Sequence, residues 1–288
     1  MQKNAYLLLL LVVIAWAGNF PLGKLAVREV SPLMLTAGRA LFGAGLLLLL
    51  ARLTAPQRRA FRAADYRAFV ILGCSGLVVN TTLWFWGLSY TTAVNAGILS
   101  AASPVFVAVA SGPITGDRLT PVNWGGIALS VAAVVLVVSR GSWEVLSDLS
   151  FERGDIILLS AQAAWVVYQL YSRMATSTLP PIWIMAGAHV ASACVLVPLA
   201  TITGAWRSIP AAPIGWTSVA YGATIITLSH LWFYAAIRTI GAGRAATFAN
   251  LTPFVVLLFA WLIAGEAIYP YHVVAALVVI AGVYLTTR

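Results

Sequence analysis

Charge is scarce in this chain. Only 9% of its 288 residues are Asp, Glu, Lys or Arg, against about 25% in an ordinary water-soluble domain. Hydrophobic residues make up 61%, and the mean hydropathy is +0.93. So little polar surface cannot coat a soluble globule, and the composition assigns a polytopic membrane protein. Acidic residues are the rarest charges: there are eight, and none lies near the middle of an apolar run. That disfavours a cation/proton exchanger, which needs a membrane carboxylate to hold cation and proton by turns. Cysteine is nearly absent. Cys74 and Cys194 both sit in apolar runs, which excludes a disulfide framework, and no CxxC pair points to redox chemistry. The chain has no HExxH, GxSxG or GxxxxGK[ST] motif and no His–acid cluster at metal spacing, so no catalytic residue, cofactor or metal is expected. Long loops are missing too. The longest basic one, Arg52 to Arg67, leaves no room for a soluble domain.

What remains is a series of apolar runs long enough, at about 30 Å each, to cross a bilayer as helices. They fall roughly at 4–24, 31–53, 67–90, 92–113, 121–139, 154–175, 181–203, 212–237, 244–264 and 269–287. Pro, Gly and charged residues separate most of them. Ala15-Trp16-Ala17 after the first run has the look of a signal-peptide cleavage site. The run continues as a full span, however, and it has a partner later in the chain.

That partner belongs to a repeat. "SPVFVAVASGPITGDRLTP" from Ser103 and "TPFVVLLFAWLIAGEAIYP" from Thr252 share a proline second, a Gly followed by an acid, and a closing Pro. Pro104 and Pro253 are 149 residues apart, as are Gly116 and Gly265, Asp117 and Glu266, and Pro121 and Pro270. The same offset pairs Trp16 with Trp165, Lys24 with Arg173 and Pro32 with Pro181. Leu83-Trp84-Phe85-Trp86 meets Leu231-Trp232-Phe233-Tyr234 with one residue of slip. Two units of five helices follow, at 1–140 and 141–288. Five is odd, so the second unit enters the membrane upside down, which is a transporter architecture. The expected fold is an all-α bundle of ten transmembrane helices, two inverted five-helix repeats around a central cavity.

Loop charges orient it. Lys3, Arg52, Arg58, Arg59, Arg62, Arg67, Arg118, Arg173, Arg238, Arg244 and Arg288 lie on the N-terminal side; Lys24, Arg28, Arg140, Arg153 and Arg207 lie on the other. Both termini are therefore expected in the cytoplasm. The net charge of +9 then reflects cytoplasmic loops rather than a nucleic-acid partner.

The doubled motif, Trp16, Ser31-Pro32 opening the second span and Arg39 within it together resemble the EamA-type family of the drug/metabolite transporter superfamily. The resemblance covers essentially the whole chain. Asp117 departs from it, since a Glu is more usual there. Within the superfamily, Trp16-Ala-Gly-Asn19-Phe20 and the aromatic content are similar to bacterial exporters of aromatic and other neutral amino acids. The resemblance implies a multi-pass inner-membrane carrier, a cavity between the repeats, alternating access, and amino acids or aromatic compounds as substrates. The lipid bilayer is the other partner, and a monomer is expected.

Polar residues deep in a span are costly unless they face a cavity or the bundle interior, so they form the candidate site. Trp16, Asn19 and Gly23 share one helix face; Trp165, Tyr168 and Ser172 repeat it in the second half. Asn80 with Trp84, and His230 with Tyr234, sit four apart. Asn95, Ser100, Asn250 and His189 complete the set, with Arg39 as a candidate for a substrate carboxylate. An aromatic-lined cavity with a few fixed hydrogen-bond groups suits an amphipathic zwitterion. Each residue also has a structural reading. Asn95, Asn250 and Ser100 can bond a neighbouring helix, the histidines can be satisfied core groups, Trp16, Trp84 and Trp165 can pack on a neighbour, and Arg39 can snorkel or bond a carbonyl. Proton coupling would run through His189 or His230; passive uniport is the favoured expectation. The competing functions are a carrier of another metabolite or aromatic drug, a membrane-embedded enzyme, and a channel. A channel needs rings of similar groups, which are not evident.

Overall fold

The computed structural model describes residues 2–55, 60–115, 119–148, 151–175, 179–208, 213–240, 248 and 250–286. Among them it is helical throughout. In chain order the helices are α1 (Gln2–Ala26), α2 (Pro32–Thr54), α3 (Ala63–Leu72), α4 (Thr81–Tyr90), α5 (Ala93–Ala101), α6 (Ser103–Thr115) and α7 (Pro121–Val138). The second half holds the short α8 (Trp143–Ser147), then α9 (Arg153–Ala175), α10 (Pro181–Ile202), α11 (Pro213–Tyr221), α12 (Thr227–Ile240), α13 (Thr252–Ala264) and α14 (Pro270–Thr286). Among the described residues, six helical stretches are long and apolar enough to cross a membrane; α13 and α14 are shorter apolar helices.

The helix ends follow local rules. Ser31 caps α2, accepting from the Met34 amide at 3.2 Å, with Pro32 in the first turn, where its missing N–H is harmless. Thr120 and Asn123 form a reciprocal capping box ahead of Pro121. Helix α3 starts at Ala63, four residues earlier than expected, because Asp65 accepts from the Arg62 amide at 2.7 Å. The basic loop is shorter by that turn. The expected fourth span is broken at Ala102, between α5 and α6. Pro104 has no N–H for the Ser100 carbonyl, which accepts from the Ser103 hydroxyl at 2.6 Å instead. The expected ninth span is described as a helix only from Thr252; residues 241–247 lie outside the described residues, as do Gly116 and Asp117.

A π-helical segment joins α3 to α4 at Gly73–Asn80, and another joins α11 to α12 at Gly222–Ile226. Their first residues are again 149 apart. A π turn accommodates one extra residue without ending the helix. The one-residue slip between Leu83 and Leu231 therefore arises between the starts of these segments and the two leucines.

Small residues let the backbones meet. On α7 and α14, a Cβ on Gly126 would lie 2.5 Å from the Gly282 carbonyl oxygen, and one on Gly282 would lie 2.2 Å from Ser130 Oγ. Without a water-driven force between helices in lipid, such close approach is the main source of association. Asn123 ties the same pair polarly, donating Nδ2 to the Leu285 and Thr286 carbonyls, each at 3.1 Å. Gly126→Val is expected to destabilise the protein by about 1–3 kcal/mol through overpacking. A lowered unfolding temperature in detergent, with no comparable loss for Gly125→Val, whose Cβ would meet open space, is the check.

Candidate functional site

The candidate residues settle into two mid-bundle clusters and one cluster at a bundle end. In the first, α1 meets α12. Trp16 donates its indole N–H to Ser229 Oγ at 2.9 Å. Its ring lies 5.1 Å from that of Phe233 and 5.6 Å from that of His230, centre to centre. His230 Nδ1 is 2.7 Å from the Ile226 carbonyl, and His189 Nδ1 is 2.9 Å from the Met185 carbonyl. A carbonyl only accepts, so each Nδ1 carries the hydrogen and each neutral ring keeps Nε2 as an acceptor. Tyr234 lies on α12, but its side chain is outside the described residues.

One turn along α1, Asn19 meets Arg39 of α2. The guanidinium donates to Asn19 Oδ1 at 2.8 Å and to Ser218 Oγ at 2.9 Å, and lies 4.5 Å from the centre of the Phe85 ring. Gly222 makes the room, since a Cβ there would lie 2.3 Å from Arg39 Nε. Arg39 is 9% exposed, and its Nε has no hydrogen-bond partner. Among the described residues no carboxylate lies within ion-pair distance of it. A full positive charge is thus buried among neutral oxygens and a π face. Trp84 is beside this group, edge-on to Phe20 and Phe85 at 5.2 and 5.0 Å.

The second cluster belongs to α9. Trp165 and Tyr168 stack at 4.9 Å with 15° between planes. The Tyr168 ring rests on Gly76 of the first π segment and lines a small crevice with Leu72, Ser172, Met185 and Ala188. Asn80 closes that segment and donates to the Ala161 carbonyl on α9 at 2.9 Å. Ser100 Oγ is buried without a partner, while Asn250 sits in the turn before α13 with no side-chain hydrogen bond described.

Asn95 does not join the aromatic groups. It bonds Thr91 Oγ1 at 3.2 Å and His272 Nε2 at 3.2 Å, at the end of the bundle where α1 finishes. His189 lies against Gly43 of α2, near Thr227 and within electrostatic reach of His230 on α12. Reading by residue type missed Ser218 and Ser229, because a lone serine in an apolar run carries no signal of its own. Their spacing from the π segment Gly222–Ile226, four residues before it and three after, could have found them.

The sequence was compared with known proteins. The model of the EamA-like transporter family matches residues 3–139 and again residues 152–288. The chain belongs to that family. The two matches are themselves offset by 149 residues. At full length the chain is 28% identical to YyaM, a transporter of Bacillus subtilis, over 97% of this chain and 92% of that one. It is 25% identical to a probable terminal-alkyne amino-acid exporter of Streptantibioticus cattleyicolor, over 97% and 92%. It is also 25% identical to an S-adenosylmethionine/S-adenosylhomocysteine transporter of Chlamydia muridarum, over 93% and 87%. A solved crystal structure, 19% identical, superposes over 100% of this chain and 98% of its own with a TM-score of 0.67, which supports the fold.

As a member of this family the chain is a transporter, and its aromatic groups are tested through flux. Trp16→Ala and Trp165→Ala are expected to cut substrate uptake about tenfold in protein that still purifies folded and monodisperse in detergent. A truncated stacking contact is worth about 0.5–1.5 kcal/mol beyond lost area, so the combined loss is well above assay noise.

Proposed function

We propose that this EamA-family transporter exports aromatic and other neutral amino acids across the bacterial inner membrane by alternating access, as a monomeric uniporter. The observation that carries the reading is Arg39, a buried cation whose Nε is unpartnered and which touches neutral groups and an aromatic ring. A substrate carboxylate completes its coordination. Trp16, Trp84, Trp165, Tyr168 and Tyr234 take the apolar side chain. Asn19, Asn80, Ser100, Asn250, His189 and His230 supply fixed polar contacts, and Asn95 serves at the bundle end. The name of the Streptantibioticus relative supports an amino-acid substrate.

Two inverted units, 1–140 and 141–288, form ten spans around the central cavity, with both termini in the cytoplasm. The twofold family match and the paired π segments support the repeat. A second reading, a carrier of amino acids that bear a nucleoside, is favoured by the name of the Chlamydia relative, and the stacked Trp165–Tyr168 pair suits a flat ring.

Uptake of labelled tryptophan, phenylalanine, threonine and lysine into proteoliposomes tests the proposal. Tryptophan and phenylalanine are expected to enter saturably, with steady-state accumulation unchanged by a pH gradient. Phenylalaninamide, which lacks the carboxylate, is expected not to compete. Arg39→Gln is expected to lower uptake by about tenfold or more, the worth of a lost charged hydrogen bond. Competition by the amide equal to that of phenylalanine overturns Arg39 as the carboxylate group. Uptake of none of the four removes the amino-acid reading.

A further inference from the structure

The Gly–acid motif that opens the repeat argument finds no use in the substrate site. In the second half it sits where α13 ends. Gly265 adopts a left-handed turn with φ 65°, a conformation that favours glycine. The turn sends Glu266 to the first amides of α5, where its two oxygens accept from Ala93 N at 2.8 Å and Val94 N at 3.0 Å. This is a carboxylate on a helix N-terminus, contributed by the opposite half of the chain.

Two more side chains of the second half reach the same segment. Asp155, on the first turn of α9 and fully buried, accepts from Thr91 Oγ1 at 2.6 Å. His272, on the first turn of α14, meets Asn95 Oδ1 at 3.2 Å. Its Nδ1 accepts the Tyr269 amide at 3.1 Å, so its Nε2 carries the hydrogen. The donors therefore run one way, from the Tyr269 amide through His272, Asn95 and Thr91 to Asp155. On the opposite side, Lys24 of α1 donates to the carbonyls of Leu88 and Thr91 at the end of α4. The break between α4 and α5 is thus gripped by Lys24, Asp155, Glu266 and His272.

The grip closes the bundle end where α1 finishes, and one feature makes it reversible. Asp155 Oδ2 is buried with no hydrogen-bond partner, and among the described residues no Lys or Arg nitrogen lies within ion-pair distance of it. A buried, half-satisfied carboxylate burdens the closed form. Separation of the halves would hydrate it. Beside these polar contacts, Gly154 of α9 packs on the backbone of Gly87 and Thr91, so the halves also meet here through small residues.

We infer that Leu88 to Asn95, held by Asp155, Glu266 and His272, is the gate that closes the extracytoplasmic end of the transport path. The assignment of side rests on the orientation given under Proposed function; the gate itself does not rest on the substrate. The two acids pull in opposite directions. Glu266 favours closure, because both of its oxygens are used. Asp155 favours opening, because one of its oxygens is not.

The test is the labelling rate of Ala96→Cys, fully buried one turn into α5, with Cys74 and Cys194 replaced by serine. A membrane-impermeant maleimide is added to right-side-out and to inverted vesicles. Glu266→Gln is expected to raise labelling about tenfold, by loss of a charged cap. Asp155→Asn keeps the acceptor for Thr91, removes the charge and is expected to lower labelling. A merely structural role would move both variants the same way, and that result, or no change in either, overturns the gate. Should Glu266→Gln fail to fold, Lys24→Met carries the same expected rise and the same power to overturn. A response of opposite sign in the two variants, seen only in inverted vesicles, upholds the gate and overturns the orientation.

Discussion

A helix that ends inside a membrane leaves amides and carbonyls that no water can satisfy. In this protein the ends and breaks are where the functional chemistry collects. The junction between α4 and α5 needs partners at Leu88, Thr91, Ala93 and Val94, and charged side chains supply them. The kink at Pro104 is satisfied by a hydroxyl. Elsewhere the helices meet through small residues and apolar packing, as at Gly126 and Gly282. Polar groups are spent where backbone continuity fails, and at the α4–α5 junction the acids that supply them come from the other half.

This division separates two kinds of charged group. Arg39 is deep, bonded within hydrogen-bond distance to one group from each half, Asn19 and Ser218. Asp155 and Glu266 lie at the bundle end, and their carboxylates bond across to the first half. A neutral hydrogen bond is worth about 0.5–1.5 kcal/mol net, and a charged one more. A handful of them therefore adds up to the scale of about a few kcal/mol on which two conformations of one protein compete.

Composition and repetition made the architecture legible before any coordinate. The offset of 149 reappears in the family matches and in the starts of the π segments. Of the aromatic and amide residues read on shared helix faces, the structure stacks Trp165 on Tyr168 and sets Asn19 against Arg39. Three things were hidden. Trp183, near a helix end, looks like an interfacial residue but is buried, with its indole N–H on the Ala55 carbonyl at 2.6 Å. Asp155 and His272 lie so close to helix starts that they read as loop-side charges, although both are buried. Asn95 reads as a cavity residue by its depth in an apolar run, yet the break at Thr91 and Thr92 makes it an end residue. In each case the deciding fact is where a helix starts or stops, which hydrophobic periodicity reports least well.

The π segments have a further consequence for how the halves could diverge. An extra residue in a straight helix turns everything after it by about 100°, which would carry Asn80 and Trp84 off their face. Held as a wider turn at Gly73–Asn80, the same residue is absorbed locally, and the helix beyond keeps its facing. The third span of each half thus tolerates a change of length at a position where ordinary helix does not. Two copies that began with identical sequences could drift in residue count and still aim corresponding side chains at a shared interior.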